Sequence, residues 1–206
     1  MIECEAQKRN STKKKWKILI ACAVAIVLVI SCLLNFDNIG AWVGGFGYMN
    51  FGNFKRYACT YVQEPAVARV ELDLSDLEAN VGRVLYEQDG CRIEVRLVQI
   101  GESYTGGPIV YLNTFGICTG QKGELVSAVK HYVSPSYTFT ATMVAKATCI
   151  YQGVVYECEP CGGTSLTRDG DMFYYYLFQA DDLLDQYEGT AVFEITGLIR
   201  HTWTRL

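Results

Sequence analysis

The run from Ile18 to Leu34, ILIACAVAIVLVISCLL, constrains this chain more than any other feature, because it contains no charge, glycine or proline. As a helix rising about 1.5 Å per residue it covers roughly 25 Å, close to the hydrocarbon thickness of a bilayer once Trp16 and Phe36 serve as interfacial ends. A soluble helix needs one apolar stripe, not an unbroken apolar surface. Ahead of the run, Lys8, Arg9, Lys13, Lys14, Lys15 and Lys17 oppose only Glu3 and Glu5. The rest of the chain carries an excess of acid, so a basic stub is joined to an acidic body. Positive flanks stay cytoplasmic, which places the body on the far side, opened by Asp37. The expected organisation is a cytoplasmic tail over 1–17, a transmembrane helix over 18–36, a juxtamembrane segment over 37–65 and a β domain over 66–206. The localisation implied is the cell membrane, single-pass, with the C-terminal domain extracytoplasmic.

A different anchor is also written in this run. Val29-Ile30-Ser31-Cys32 resembles a bacterial lipobox, in which Cys32 would carry the lipid and become the mature N-terminus. Leu33 and Leu34 continue the apolar run where lipoproteins turn polar, so the uncleaved span is the expectation and a Cys32 lipoprotein the alternative. A cleaved secretory signal needs a small-residue site, and Ser31-Cys32-Leu33 is a poor one.

With 206 residues, half of them hydrophobic and only 19 % charged, the chain can form one domain with a real core. That balance argues against a largely disordered chain or one that coats nucleic acid. Residues 38–54 interleave Trp42, Phe46, Tyr48, Phe51 and Phe54 with Gly40, Gly44, Gly45, Gly47 and Gly52. Glycine content and length exclude a second span. The stretch reads as a flexible tether with aromatics at headgroup level, or as an irregular first strand.

Beyond Pro65 the apolar pattern alternates with period two, the mark of half-buried strands. Tyr137 to Tyr151 alternates except at Val144 and Ile150, long enough to predict a bend or bulge. Gln152-Gly153 turns it into Val154 to Cys158. Asp89-Gly90 predicts a second hairpin, pairing Gln88 with Cys91, Glu87 with Arg92, Tyr86 with Ile93, Leu85 with Glu94 and Val84 with Val95. Further strands are expected over Val67 to Leu74, Ile109 to Thr114, Met172 to Gln179 and Thr190 to Trp203, the last kinked at Gly197. Glu124 to Tyr132 fits a short helix or a strand, and Ala180 to Gln186 one helical turn. Seven or eight short strands imply an all-β fold, an antiparallel β-sandwich.

The stretch Arg83 to Val95, RVLYEQDGCRIEV, follows an N-terminal anchor and precedes a long β region. It resembles the immunoglobulin-like sandwich domains of small membrane-anchored surface proteins of Gram-positive bacteria. The resemblance covers that hairpin and the overall layout. It implies an immunoglobulin-like extracytoplasmic module without an assigned activity, and brings no catalytic residues.

Six cysteines lie outside the tail and span: Cys59, Cys91, Cys118, Cys149, Cys158 and Cys161. An even number in an exported domain predicts disulfides, with pairing left open. Cys149 and Cys158 share a face of the hairpin at Gly153, opposite each other for a four-residue loop and diagonal for a two-residue one. Cys158-Glu159-Pro160-Cys161 could act as a redox dithiol or a zinc knuckle. A redox pair wants a helix N-terminus behind the first thiol, and zinc wants two more ligands, whereas His131 and His201 are the only histidines. A structural disulfide is favoured there.

Asp169-Gly170-Asp171 could supply oxygens to a cation, and Asp181, Asp182, Asp185 and Glu188 cluster after it, but the spacing lacks EF-hand order. No Gly-x-Ser-x-Gly elbow and no His-Glu-x-x-His is present. No catalytic residue and no cofactor are therefore assigned. The expected function is binding or structural interaction by a membrane-held module, with a protein or surface ligand as partner and no nucleic acid. The alternatives are a thiol-dependent accessory enzyme using Cys158 and Cys161, and an accessory subunit of a membrane complex.

Overall fold

The computed structural model describes residues 2–101, 107–134, 138–178 and 187–206. Two compact units divide it, Met1–Ile39 and Gly40–Leu206. The first is dominated by helix α1 (Ile2–Leu34). Its Trp16–Leu34 portion has a mean hydropathy of 2.9 and is long and apolar enough to span a membrane, and none of its residues is buried. Asn35 closes it, donating from its side chain to the Ser31 carbonyl at 2.9 Å.

The second unit begins ahead of the boundary expected at 66. Helix α2 (Phe36–Gly47) runs into it and breaks at Gly45, whose φ of 54° is left-handed. A π-helical turn over Tyr48–Gly52 follows. The flexible tether is corrected here: glycine spaces this segment, but Phe46 and Met49 are fully buried and pack with Leu125, Leu166 and Trp203 in a core of their own. Apolar burial outweighs the glycine entropy.

Fourteen strands are described. Strands β1 (Tyr57–Gln63), β2 (Ala68–Asp73), β3 (Val84–Gln88), β4 (Cys91–Ile100), β5 (Pro108–Phe115), β6 (Ile117–Cys118) and β7 (Lys122–Ser127) come first. Strands β8 (Val129–Val133), β9 (Phe139–Met143), β10 (Lys146–Tyr151), β11 (Val154–Gly163), β12 (Met172–Tyr176), β13 (Thr190–Thr196) and β14 (Ile199–Arg205) complete the set. Eight form one antiparallel sheet in the order β2-β13-β10-β11-β12-β5-β4-β3. Its outer strands approach each other: Arg83 donates to the Glu71 carbonyl at 2.7 Å, and the Asn80 side chain bonds both backbone groups of Asp73 at 2.7 Å. The sheet is thus curled nearly into a barrel around Leu72, Ile93, Val95, Leu112, Tyr151, Phe173 and Phe193. The order β1-β14-β7-β6 makes a second sheet, and β8-β9 a hairpin.

Two long strands expected from alternation are each divided between sheets. At Gly197 (φ 73°) the chain leaves the eight-stranded sheet and enters the four-stranded one. At Val144-Ala145, where alternation fails, it passes from the β8-β9 hairpin to β10. Glu124 to Tyr132 is strand on both sides of Ala128. The hairpin at Asp89-Gly90 pairs Gln88/Cys91, Glu87/Arg92 and Tyr86/Ile93 as expected, but Leu85 bulges out, so Val84 opposes Glu94 and not Val95. The bulge keeps both Leu85 and Tyr86 buried, which strict alternation forbids. The turn expected over Ala180 to Gln186, with Asp181, Asp182 and Asp185, lies outside the described residues, as do Tyr137 and Gln179.

Candidate functional site

The site is built on a buried carboxylate. Thr167 closes a turn with the Gly170 carbonyl, through N at 2.7 Å and Oγ1 at 2.8 Å. Gly170 must be glycine, since a Cβ there would run into the Thr114 carbonyl. That close approach seats Asp171 on the end of β5. Its N–H donates to Thr114 Oγ1 (2.8 Å) and its carbonyl accepts the Thr114 N–H (2.9 Å). The carboxylate accepts from three directions: Thr114 Oγ1 at 2.6 Å, Ser127 Oγ at 2.7 Å and His131 Nε2 at 2.6 Å. All four residues are buried, with at most 4 % exposure. Loop, β5, β7 and β8 are tied at one point.

The chain of contacts continues through the second histidine. The His131 N–H donates to His201 Nε2 at 3.2 Å, so Nε2 is unprotonated and the neutral ring carries its proton on Nδ1. Among the described residues no group completes a hydrogen bond with Nδ1. Burial pushes the His201 imidazole down to about 4, reinforced by His131 and opposed by Asp171 and the carbonyls of Leu125 and Ile199. Its ring stacks on Trp203 at 5.4 Å and meets the edge of Tyr61 at 5.4 Å.

Ser127, His131 and Asp171 do not form a hydrolytic triad. A triad places histidine between nucleophile and carboxylate. Here serine and histidine both bond the same carboxylate oxygen, and Ser127 Oγ also accepts the Val129 N–H at 2.9 Å. With every member enclosed, the arrangement orients His131 and, through it, His201, Tyr61 and Trp203.

Those last two side chains line a pocket of about 280 Å³. Alternate residues of β1, Tyr57, Cys59 and Tyr61, form one wall by strand periodicity. Met49, Asn50 and Phe54 come from the π turn and the loop after it, with Val133 and Ser134 from the end of β8. Asn50 is 3 % exposed, and its Oδ1 accepts from Trp203 Nε1 at 3.4 Å. The Tyr57 hydroxyl donates to the Gly120 carbonyl at 3.0 Å. Burial pushes the Cys59 thiol up to about 12 and raises Tyr61 as well, so both stay protonated at neutral pH. The Lys130 ammonium stands 4.9 Å over the Tyr61 ring.

The cysteines expected to pair are free thiols among the described residues. Gln152-Gly153 is a two-residue turn with both φ values positive, so Ala147 opposes Cys158 and Cys149 opposes Tyr156. Cys149 and Cys158 are therefore diagonal, about 7 Å apart by strand geometry, against the 3.5–4.5 Å between Cβ atoms that a disulfide requires. Cys158 and Cys161 lie in β11, with no helix N-terminus behind them, and their thiols bond the Leu177 and Glu159 carbonyls. Burial raises Cys158, and Cys161 to about 11, the wrong direction for a redox dithiol. Cys91 and Cys118 bond the carbonyls of Glu124 and Ala41. Cys32 is exposed on α1.

Asp169 and Asp171, adjacent in sequence but for one glycine, part company. Asp169 is exposed beside Arg168, whereas Asp171 spends its oxygens on Thr114, Ser127 and His131. Among the described residues no three His, Cys, Asp or Glu side chains gather as metal ligands. Sequence reasoning missed His131, His201, Ser127, Thr114 and Asn50, which have no local motif. In comparisons with protein-family models, curated proteins and solved structures, nothing matches the chain.

Proposed function

We propose that this chain is a membrane-anchored binding module whose β-rich unit works outside the cytoplasm. One observation carries the reading: an N-terminal helix of mean hydropathy 2.9, wholly unburied over Trp16–Leu34. A water-exposed apolar surface of that size is strongly unfavourable unless lipid covers it. The six basic residues ahead of it favour a cytoplasmic N-terminus. The immunoglobulin-like sandwich belongs to the same proposal. What supports it is a pair of antiparallel sheets linked by Cys91 to the Glu124 carbonyl and by Arg200 to the Tyr86 hydroxyl. Binding is favoured over turnover because the residues with catalytic chemistry are sealed in the core, while the open pocket is walled by aromatic and neutral polar groups.

Thiol labelling of intact cells tests the topology. Val155, 64 % exposed at a hairpin tip, and Thr12 in the basic stub are each replaced by cysteine. A membrane-impermeant maleimide should label Val155→Cys in intact cells and Thr12→Cys only after lysis. The reverse pattern overturns the reading.

A further inference from the structure

Helix α2 buries one side and exposes the other. Asp37 and Ala41 are buried, whereas Phe36, Ile39, Trp42 and Val43 stand exposed. Trp42 is 71 % exposed and Val43 61 %, and the backbone that carries them is fixed. Just past them the Phe46 N–H donates to the Arg168 carbonyl at 3.4 Å and the Gly47 N–H to the Thr167 carbonyl at 3.0 Å. Phe46 itself is fully buried, its ring 5.2 Å from that of Trp203. Trp42 and Val43 are therefore held outward by the β-rich unit, and adjacent large apolar side chains so presented mark a contact surface.

Their place in the chain says what covers them. Trp42 follows Leu34, the end of the apolar span, by only eight residues. Two extended residues to Phe36 and the helical rise from there to Trp42 reach about 16 Å at most. The headgroup layer on one side of a bilayer takes up about 5–7 Å of that. The remaining gap of roughly 10 Å is one helix diameter, too thin for a folded partner and within reach of lipid. Tryptophan is favoured at this level, where its ring meets acyl chain and its N–H meets water or headgroup. The Arg168 guanidinium stands 5.7 Å over the Trp42 ring and offers a fork of donors to a phosphate. Asp169 lies 3.9 Å from Arg168, so the two add no net charge, and the body as a whole is acidic. Apolar insertion, not attraction to anionic lipid, is what this face supports.

We infer that Trp42 and Val43 form a lipid-contact face that enters the headgroup–acyl boundary of the leaflet α1 leaves, with Arg168 at the phosphates beside them. The β-rich unit then rests on the bilayer surface and does not stand off from it on a stalk. Apolar side chains buried about 5–10 Å into that boundary are the usual form of such contacts, and a zwitterionic phosphocholine surface suffices for this one. The inference deepens the membrane-anchored reading and rests on it.

The test uses the full chain reconstituted in phosphatidylcholine vesicles and reads indole fluorescence. Trp16→Phe, at an exposed position, leaves Trp42 and Trp203 as the emitters, and Trp203 is 1 % exposed in the core. Lipid brominated near the top of the acyl chain should quench the Trp42 emission by about half, and lipid brominated near the chain end by much less. Adding Trp42→Phe should abolish the quenching. Adding Val43→Asp instead, also at an exposed position, should cut it at least about twofold, because a carboxylate resists entry into the boundary. Trp42→Phe alone keeps Trp16 and reports the anchor: Trp16 should be quenched by the same lipid while the chain floats with the vesicles. Quenched Trp16 with unquenched Trp42 leaves the anchor standing and overturns the lipid face. A blue-shifted but unquenched Trp42 does the same and assigns the face to a second copy or another protein. A chain that does not float with the vesicles overturns both.

Discussion

The backbone N–H of His131 donates to Nε2 of His201 across 3.2 Å, joining β8 to β14 over 70 positions of sequence. This bond works only while Nε2 is unprotonated. It therefore couples the second ring's charge state to the placement of Tyr61 and Trp203, which pack on that ring.

A pH dependence of stability follows. His201 is held at about 4 in the folded state, against an ordinary value near 6.5. Above 6.5 the ring is neutral whether folded or unfolded, and its contribution is fully present. Between 6.5 and 4 the unfolded chain takes up a proton that the folded one refuses, so stability falls as pH falls. The loss amounts to about 3 kcal/mol at most. His201→Gln retains an acceptor for His131 without titrating. Denaturant unfolding at pH 7 and pH 4 should show wild type losing about that much more than the variant, and parallel losses would refute the coupling.

Asp171 should matter more for stability than its neighbours. Replacing it with alanine leaves two hydroxyl donors and one imidazole donor without their acceptor in a sealed core. We expect a loss of about 3–5 kcal/mol. Ser127→Ala removes one donor and leaves the carboxylate with two, so about 1–3 kcal/mol is expected. Chemical denaturation of both variants checks the order, and equal losses would show that the carboxylate is not the hub.

Local chemistry was legible in the sequence and long-range assembly was not. The two hairpins could be read because Asp89-Gly90 and Gln152-Gly153 supply the positive φ values that their turns require. The bulge at Leu85 escaped, since nothing in the alternation says that two successive residues must both be buried. Thr190 to Trp203 looked like one kinked strand because Gly197 permits a bend without stating that the chain then joins another sheet. Val144 was the exception to its pattern, and the strand divides there. The threonine, serine, carboxylate and histidines of the core converge from 114 to 201, and each alone is an ordinary residue. Asn50 lay in a stretch whose glycines suggested slack, though Phe46 and Met49 anchor it.

Thiol chemistry gives an independent check on the pairing. Cys149 is pushed up to about 12 and Cys161 to about 11, so at pH 8 the thiolate fraction of Cys161 is about one in a thousand. Native protein should react slowly with iodoacetamide at both positions. Denatured but unreduced protein should alkylate at Cys59, Cys91, Cys118, Cys149, Cys158 and Cys161 alike. Peptide mass mapping that finds any two of these protected until reduction would contradict the free-thiol arrangement.

Arg200 joins the two larger sheets and should be the most sensitive charged residue outside the core network. From β14 its guanidinium donates to Glu64 Oε2 at 3.0 Å and to the Tyr86 hydroxyl on β3 at 2.9 Å. Asp89 and Glu124 lie at 3.4 and 3.7 Å. Glu64 is only 6 % exposed, so Arg200→Ala strands a nearly buried carboxylate beside two further acids. We expect a loss of about 3 kcal/mol or more, well above the value of a surface pair. Arg200→Lys keeps the charge but loses the planar fork, so it cannot serve Glu64 and Tyr86 together and should recover only part of that loss. Pairing Arg200→Ala with Glu64→Gln removes both charges and should be less damaging than Arg200→Ala alone. A double variant no better than the single one would show that the stranded carboxylate is not the source of the cost.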